Sequence, residues 1–218
     1  MNSASRWVNH NGPFIRRRYD RLAKSFVLFE WLFFLPRGIR GQAVSRLELE
    51  PGSRVLEVGT GTGRNLADLV DAVGAEGRVY GVDFSDGMLA EAEKLCSRHD
   101  WHNVRLIQAD AAEYDLPETV DGVIFSLSYA VIPRREAALL RAWAQLRPGS
   151  YLVIMDAKLP SGFRGKLLGP IVTWASRLTV LGDPTVCAWD DLKTLNTEVE
   201  VEEVQFGTYF IARVRKPR

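Results

Sequence analysis

Cysteine is nearly missing from this chain. Cys96 and Cys187 are the two in 218 residues, too few for a disulfide framework, so a reducing cytoplasmic setting is the expectation. Histidine is equally scarce, with three residues, which leaves a Ser–His–acid hydrolase little to draw on. Cys96, His99 and His102 fall three apart near a helix end, but no fourth ligand accompanies them and a structural zinc site wants four. No metal is therefore expected. Net charge is also small, +1 from 28 basic and 27 acidic side chains, unlike the strongly basic domain of a dedicated nucleic-acid binder. Long apolar runs are lacking too. The most apolar one, residues 26–36 (FVLFEWLFFLP), is broken by Glu30 and falls short of the roughly 20 residues that span a bilayer. The polar residues 1–13 do not read as a secretory signal.

What remains is an ordinary globular mixture, 46% hydrophobic and 25% charged, of a length suited to one domain with a small appendage. The near-zero charge hides an asymmetry. Residues 1–46 carry nine basic side chains against Asp20 and Glu30, and residues 157–180 add Lys158, Arg164, Lys166 and Arg177 with no acid. The rest of the chain is acidic. Aromatic residues cluster in both basic segments. Such segments suit either a peripheral contact with an anionic membrane surface or a lid whose apolar stripe packs on its own core.

Periodicity predicts helices over residues 14–35 and 41–47, an N-terminal helical lid spanning 1–50. From there strands and helices alternate: strands at 54–58, 79–82, 104–108, 123–125 and 151–155, helices at 64–72, 87–99 and 134–146. Apolar strands alternating with helices imply a parallel sheet covered on both faces. An insertion at 161–195 over the active site, ending in a short helix near 187–195, precedes two strands turning around Gly207. The fold class expected is α/β and Rossmann-like, a seven-stranded, mostly parallel sheet ending in an antiparallel hairpin, with residues 51–218 as the main domain.

The strongest chemical signal is Val55-Leu56-Glu57-Val58-Gly59-Thr60-Gly61-Thr62-Gly63, a strand running into a glycine loop before a helix. Glycines there admit unusual φ values and close approach of a ligand to backbone. Asp83 closes the next strand, where an acid hydrogen-bonds a ribose diol. The spacing is G-x-G-x-G, not the G-x-G-x-x-G of dinucleotide binders, and Glu57 would repel a pyrophosphate. A nucleoside bearing an ammonium and a sulfonium fits better, and S-adenosylmethionine is that ligand.

With the later segments QADA (108–111) and DGVIFSLSY (121–129), the chain resembles the class I S-adenosylmethionine-dependent methyltransferases over about residues 50–156. The resemblance implies that Gly59, Gly61 and Gly63 line the methionine part and that Asp83 holds the ribose, with Glu57 and Thr60 also expected among the cofactor-binding residues. It places Phe84 and Met88 around the adenine, Asp110 and Ala111 at its amino edge, and Ser126 beside the methyl group. Met88 reads equally as helix core, and Asp110 as a turn cap. More narrowly, Tyr19-Asp20, GTGRNL and SLSYAVIP are similar to the ubiquinone/menaquinone-methyltransferase-like branch, and within it to enzymes methylating phospholipid or betaine-lipid head-group amines.

Methyl transfer from a sulfonium is an in-line displacement that chiefly requires alignment and exclusion of water. For an amine acceptor, tyrosines could orient the lone pair, and Tyr19 and Tyr129 are the candidates. The expected function is N-methylation of an amine on a small molecule or lipid head group, with S-adenosylhomocysteine as product. C- or S-methylation of an apolar quinone precursor or thiol, aminocarboxypropyl transfer, and cofactor binding without catalysis are the alternatives. Oligomeric state is not legible.

Overall fold

Arg54–Val58 forms the first strand, β1, because four consecutive residues from Val55 are buried on both faces at once. That is the signature of a central parallel strand. The computed structural model describes residues 36, 38–158, 186–196, 198–205 and 207–218. The expectations for residues 14–35 and 161–181, and for Tyr19, lie outside the described residues.

In chain order the elements are α1 (Ile39–Ser45), β1, α2 (Leu66–Val73), β2 (Arg78–Asp83), α3 (Asp86–His99), β3 (Val104–Gln108), β4 (Val120–Ser126), a 3-10 turn (Tyr129–Val131), α4 (Arg135–Gln145), β5 (Leu146–Ala157), α5 (Ala188–Lys193), β6 (Val199–Val204) and β7 (Tyr209–Arg215). The strands form one seven-stranded sheet in the order β3-β2-β1-β4-β5-β7-β6. The first five pair in parallel, and β7 runs antiparallel between β5 and β6. The expected Rossmann-like architecture with its terminal hairpin is therefore present. The hairpin enters with its second strand inside: β7 is apolar and buried, whereas β6 (VEVEEV) is half-exposed and takes the edge. Charged edge strands discourage further pairing.

Side chains alternate across the sheet with period two. Leu56, Val58, Val123, Phe125, Leu152 and Ile154 face one core with α4 and α5, while Val55, Ile124, Val153 and Met155 face the other with α1, α2 and Ala92 of α3. Ile39, Ala43, Val44 and Leu47 share a core with Val55 and Leu66. Ala188 and Leu192 are buried in the opposite core. Among the described residues, no helix is long and apolar enough to cross a membrane.

Chain order along the sheet reverses between β1 and β4. From there β1 leads outward to β2 and β3, and β4 leads outward to β5. Loops leaving the two strands diverge, opening a crevice at their carboxyl ends, where open α/β sheets bind ligands.

Candidate functional site

That crevice is the cleft to which the glycine loop belongs. Its floor and one end comprise Glu57, Gly59, Thr60, Gly61, Thr62 and Ser126, and its other end comprises Phe84, Met88, Ala109, Asp110 and Ala111, with Asp83 between. Of the eleven residues that the sequence suggested for the cofactor, ten line one cleft. Gly63 does not. Its φ is +83°, and an added Cβ would lie 2.7 Å from Leu66 Cδ1 and 3.3 Å from Ala92 Cβ, so this glycine lets the loop pack against the first residue of α2 and Ala92 of α3.

The other two loop glycines differ from each other. Gly59 (φ +76°) has Ser128 Cβ 2.4 Å from where its own Cβ would stand, whereas the corresponding space at Gly61 (φ +55°) is open. Packing against the loop after β4 forbids a side chain at the first. At the second, the missing side chain leaves room in the cleft.

Asp83 is half-buried and holds the loop in shape. One carboxylate oxygen accepts from the backbone N–H of Gly61 at 2.9 Å, and the other from that of Ser85 at 2.9 Å. Ser85 in turn caps α3 by accepting from the N–H of Met88. Met88 is 1% exposed in the fold and lines the cleft. Asp110, whose carboxylate accepts from the N–H of Ala112, also lines the cleft.

Glu57 is the unusual group. It sits on a core strand, 1% exposed, and accepts hydrogen bonds from Thr60 Oγ1 at 2.5 Å and from the amide of Asn65. Burial pushes its carboxyl up to about 7, against the opposing pull of Thr60, Asn65 and the Arg40 guanidinium, with Asp83 pushing the same way as burial. Arg40, from α1, reaches across to donate to Asn65 Oδ1 at 2.9 Å and to Ser126 Oγ at 3.1 Å. A buried charge persists only where such partners surround it. Neither Arg40 nor Asn65 stood out in the sequence. Asn65 was detectable as the polar residue opening α2, but nothing local marks Arg40, 17 residues before Glu57.

Thr62 adds a buried, orphaned donor: its Oγ1 has no hydrogen-bond partner among the described residues, and the residue lines the cleft. Beyond Ser126 the wall continues through Leu127, Ser128, Val131, Ile132 and Pro133. Ser128 Oγ donates to the carbonyl of Val58 at 2.7 Å, tying this wall to β1.

Tyr129, the described one of the two tyrosines expected to face an acceptor, is not among the residues that line the cleft. It is 1% exposed, packs edge-on against Phe125 at 5.4 Å between ring centroids, and donates its hydroxyl to Asp191 of α5 at 2.8 Å. Burial and then Asp191 push its hydroxyl well above the ordinary tyrosine range. It is a core residue that anchors α5 to the turn after β4. His99 stacks on Trp101, and His102 pairs with Asp100 at 3.0 Å. Among the described residues, no group of three or more His, Cys, Asp or Glu gathers to hold a metal.

Residues 55–149 match a family profile described as "Methyltransferase domain". Over these residues the chain is similar to a methyltransferase domain. The chain is 31% identical over 128 residues to a demethylmenaquinone methyltransferase of Geobacillus stearothermophilus, covering 57% of this chain and 55% of that protein. With its counterpart from Geobacillus sp. (strain WCH70) the identity is 29% over 164 residues, 72% of this chain and 66% of the relative. The chain thus spans between half and two thirds of the length of these curated relatives. Among solved structures, an S-adenosylmethionine-dependent methyltransferase from Aquifex aeolicus superposes with a TM-score of 0.64 at 22% identity, covering 89% of this chain and 96% of that one. A Haemonchus contortus phosphoethanolamine N-methyltransferase 2, in complex with phosphomonomethylethanolamine and S-adenosylhomocysteine, gives 0.74 at 18% identity over 94% of this chain and 60% of that one. Likenesses this distant attest the shared methyltransferase fold.

Proposed function

We propose that this protein binds S-adenosylmethionine in the cleft and transfers its methyl group to a small apolar acceptor, a ring carbon of a quinone precursor being favoured. The observation that carries the cofactor reading is a pair of carboxylates, Glu57 and Asp83, facing one cleft from adjacent strands β1 and β2. A dinucleotide's pyrophosphate would be repelled there. A ligand with an ammonium at one end and a ribose diol in the middle suits both.

The residues present fit that ligand. Glu57 offers the ammonium a buried counter-charge, while Arg40 and the orphaned Thr62 hydroxyl are donors for a carboxylate at the same end. Asp83 lines the cleft where the diol would lie and braces the loop through the N–H of Gly61. The purine would lie between Phe84 and Met88 on one side and Ala109 to Ala111 on the other, within reach of Asp110. Bound there, S-adenosylmethionine supplies a methyl on a sulfonium, already a good leaving group, so no covalent enzyme intermediate is needed.

The protein's own part is alignment and exclusion of water. Ser126, held by Arg40, and the Leu127–Ser128 backbone bound to β1 through Ser128 fix the wall nearest the reacting end. Leu127 and Val131 make that wall apolar, and it continues through Ile132 and Pro133 toward the Asp110 end of the cleft.

The acceptor class rests on the relatives, which are demethylmenaquinone methyltransferases. The amine reading loses Tyr129 as its described orienting group, because that hydroxyl is committed to Asp191. The test uses methyl-labelled S-adenosylmethionine with a crude lipid extract, followed by organic–aqueous partition and mass spectrometry. Label on a ring carbon in the organic phase supports the reading. Label on a head-group nitrogen replaces quinone by amine, and no transfer with any fraction overturns catalysis.

A further inference from the structure

The two lips of the purine end come from opposite sides of the crevice. One is the loop after β3, carrying Ala109, Asp110 and Ala111; the other is the turn after β4, carrying Ile132 and Pro133. In the sheet, β3 and β4 are separated by both β2 and β1, about 14 Å at the usual strand spacing. Arg134 bridges the gap. Its guanidinium contacts Asp110 Oδ2 at 3.0 Å and Glu113 Oε1 at 2.7 Å, closing a ring across the carboxyl ends of the two intervening strands.

We infer that Arg134 is a positioning residue that clasps the purine end of the cofactor site and sets how fast the bound nucleoside leaves. The inference rests on the S-adenosylmethionine reading above. Arg134 does not itself line the cleft; it holds the carboxylate of a residue that does. Asp110 is fixed from two directions, Oδ1 by the N–H of Ala112 at 2.8 Å and Oδ2 by Arg134, which aims what remains of its lone pairs at the cleft. The turn bearing Arg134 is itself braced from below. Asp156 accepts from the N–H of Ala130 at 3.0 Å, and Asp191 binds the Tyr129 hydroxyl and lies 3.5 Å from Arg135. The loop after β3 is tethered beyond the clasp at Tyr114, whose carbonyl accepts from Arg141, so the clasp acts on the stretch between Ala109 and Glu113.

The clasp is half-exposed, with Arg134 and Asp110 each 50% and Glu113 65% accessible, so salt weakens it and its effect is modest. Exposed pairs of this kind shift an equilibrium a few-fold each, which puts the expected change at roughly three- to tenfold.

The experiment follows dissociation of S-adenosylhomocysteine from the full chain by stopped-flow displacement, for the unaltered protein, R134Q, R134K and E113Q. Dissociation should be about three- to tenfold faster in R134Q, partly restored in R134K, and accelerated by a smaller factor in E113Q. Raising sodium chloride should speed release from the unaltered protein but barely change R134Q. A purely structural role would lower the melting temperature without this difference in salt response. Equal dissociation rates, or equal salt dependence, for R134Q and the unaltered protein overturn the clasp alone. Absence of any S-adenosylhomocysteine binding by the unaltered protein overturns the cofactor reading along with it.

Discussion

The two ends of the cleft hold their charges in opposite ways. At the inner end, Glu57 is buried on a core strand and enclosed by Thr60, Asn65 and Arg40. At the outer end, Asp110 and Glu113 meet Arg134 in solvent. Attraction between opposite charges has different consequences at the two ends because the dielectric surroundings differ. A buried carboxylate faces a large desolvation cost that its partners only partly offset, and it stands ready for an incoming cation. An exposed pair gains little and yields to salt. The inner end should therefore govern affinity and pH response, and the outer end exchange.

Asp83→Ala, between the two ends, should give the largest effect. It removes the acceptor for the ribose diol and the brace on Gly61 and Ser85. Losing hydrogen bonds to a charged group costs about 1.5–3 kcal/mol, so S-adenosylhomocysteine should bind roughly ten- to a hundredfold more weakly by calorimetry. Unchanged affinity would remove the nucleoside from this cleft.

Glu57→Gln sharpens the contrast next. Cofactor affinity should fall about tenfold as the counter-charge disappears, yet the unliganded protein should melt no lower, and higher above pH 7, because a buried charge is gone. The sign follows from the carboxyl being raised from 4.5 to about 7 in the fold. Between those values the folded state binds more protons than the unfolded one, so this group's contribution to stability falls as pH rises through the window, by on the order of 3 kcal/mol in total. Asp156, pushed up to about 6 mainly by burial, acts in the same direction. Affinity for an ammonium ligand should move oppositely, rising as Glu57 ionises. Melting curves from pH 5 to 8 should be flatter in E57Q; identical slopes would mean that Glu57 does not titrate there.

Tyr129→Phe should do least. It deletes the hydroxyl bond to Asp191, costing about 1 kcal/mol of stability by denaturant titration, with kcat within about twofold of the unaltered protein. A tenfold loss of kcat at unchanged stability would return Tyr129 to the acceptor.

Much of this was legible locally. The strand Arg54–Val58, the glycine loop and Asp83 are contiguous patterns in which backbone sterics and period-two burial leave little freedom, and ten of the eleven expected cofactor residues line one cleft. At Gly63 a glycine loop supplies close packing rather than open space, against Leu66 nearby and Ala92 on another helix. For Tyr129, its place after β4 fixes its backbone, while the partner of its hydroxyl, Asp191, is 62 residues away.

The sequence by itself determined the alternating strands and helices, the sheet and the carboxylates at its carboxyl edge, since these depend on local stereochemistry and on which faces are apolar. Only the tertiary structure decided that β7 lies inside β6, that Arg40 completes the Glu57 network, and that Arg134 bridges two loops separated by two strands. Those outcomes depend on long-range contacts between side chains whose own neighbourhoods in the chain carry no trace of the partner.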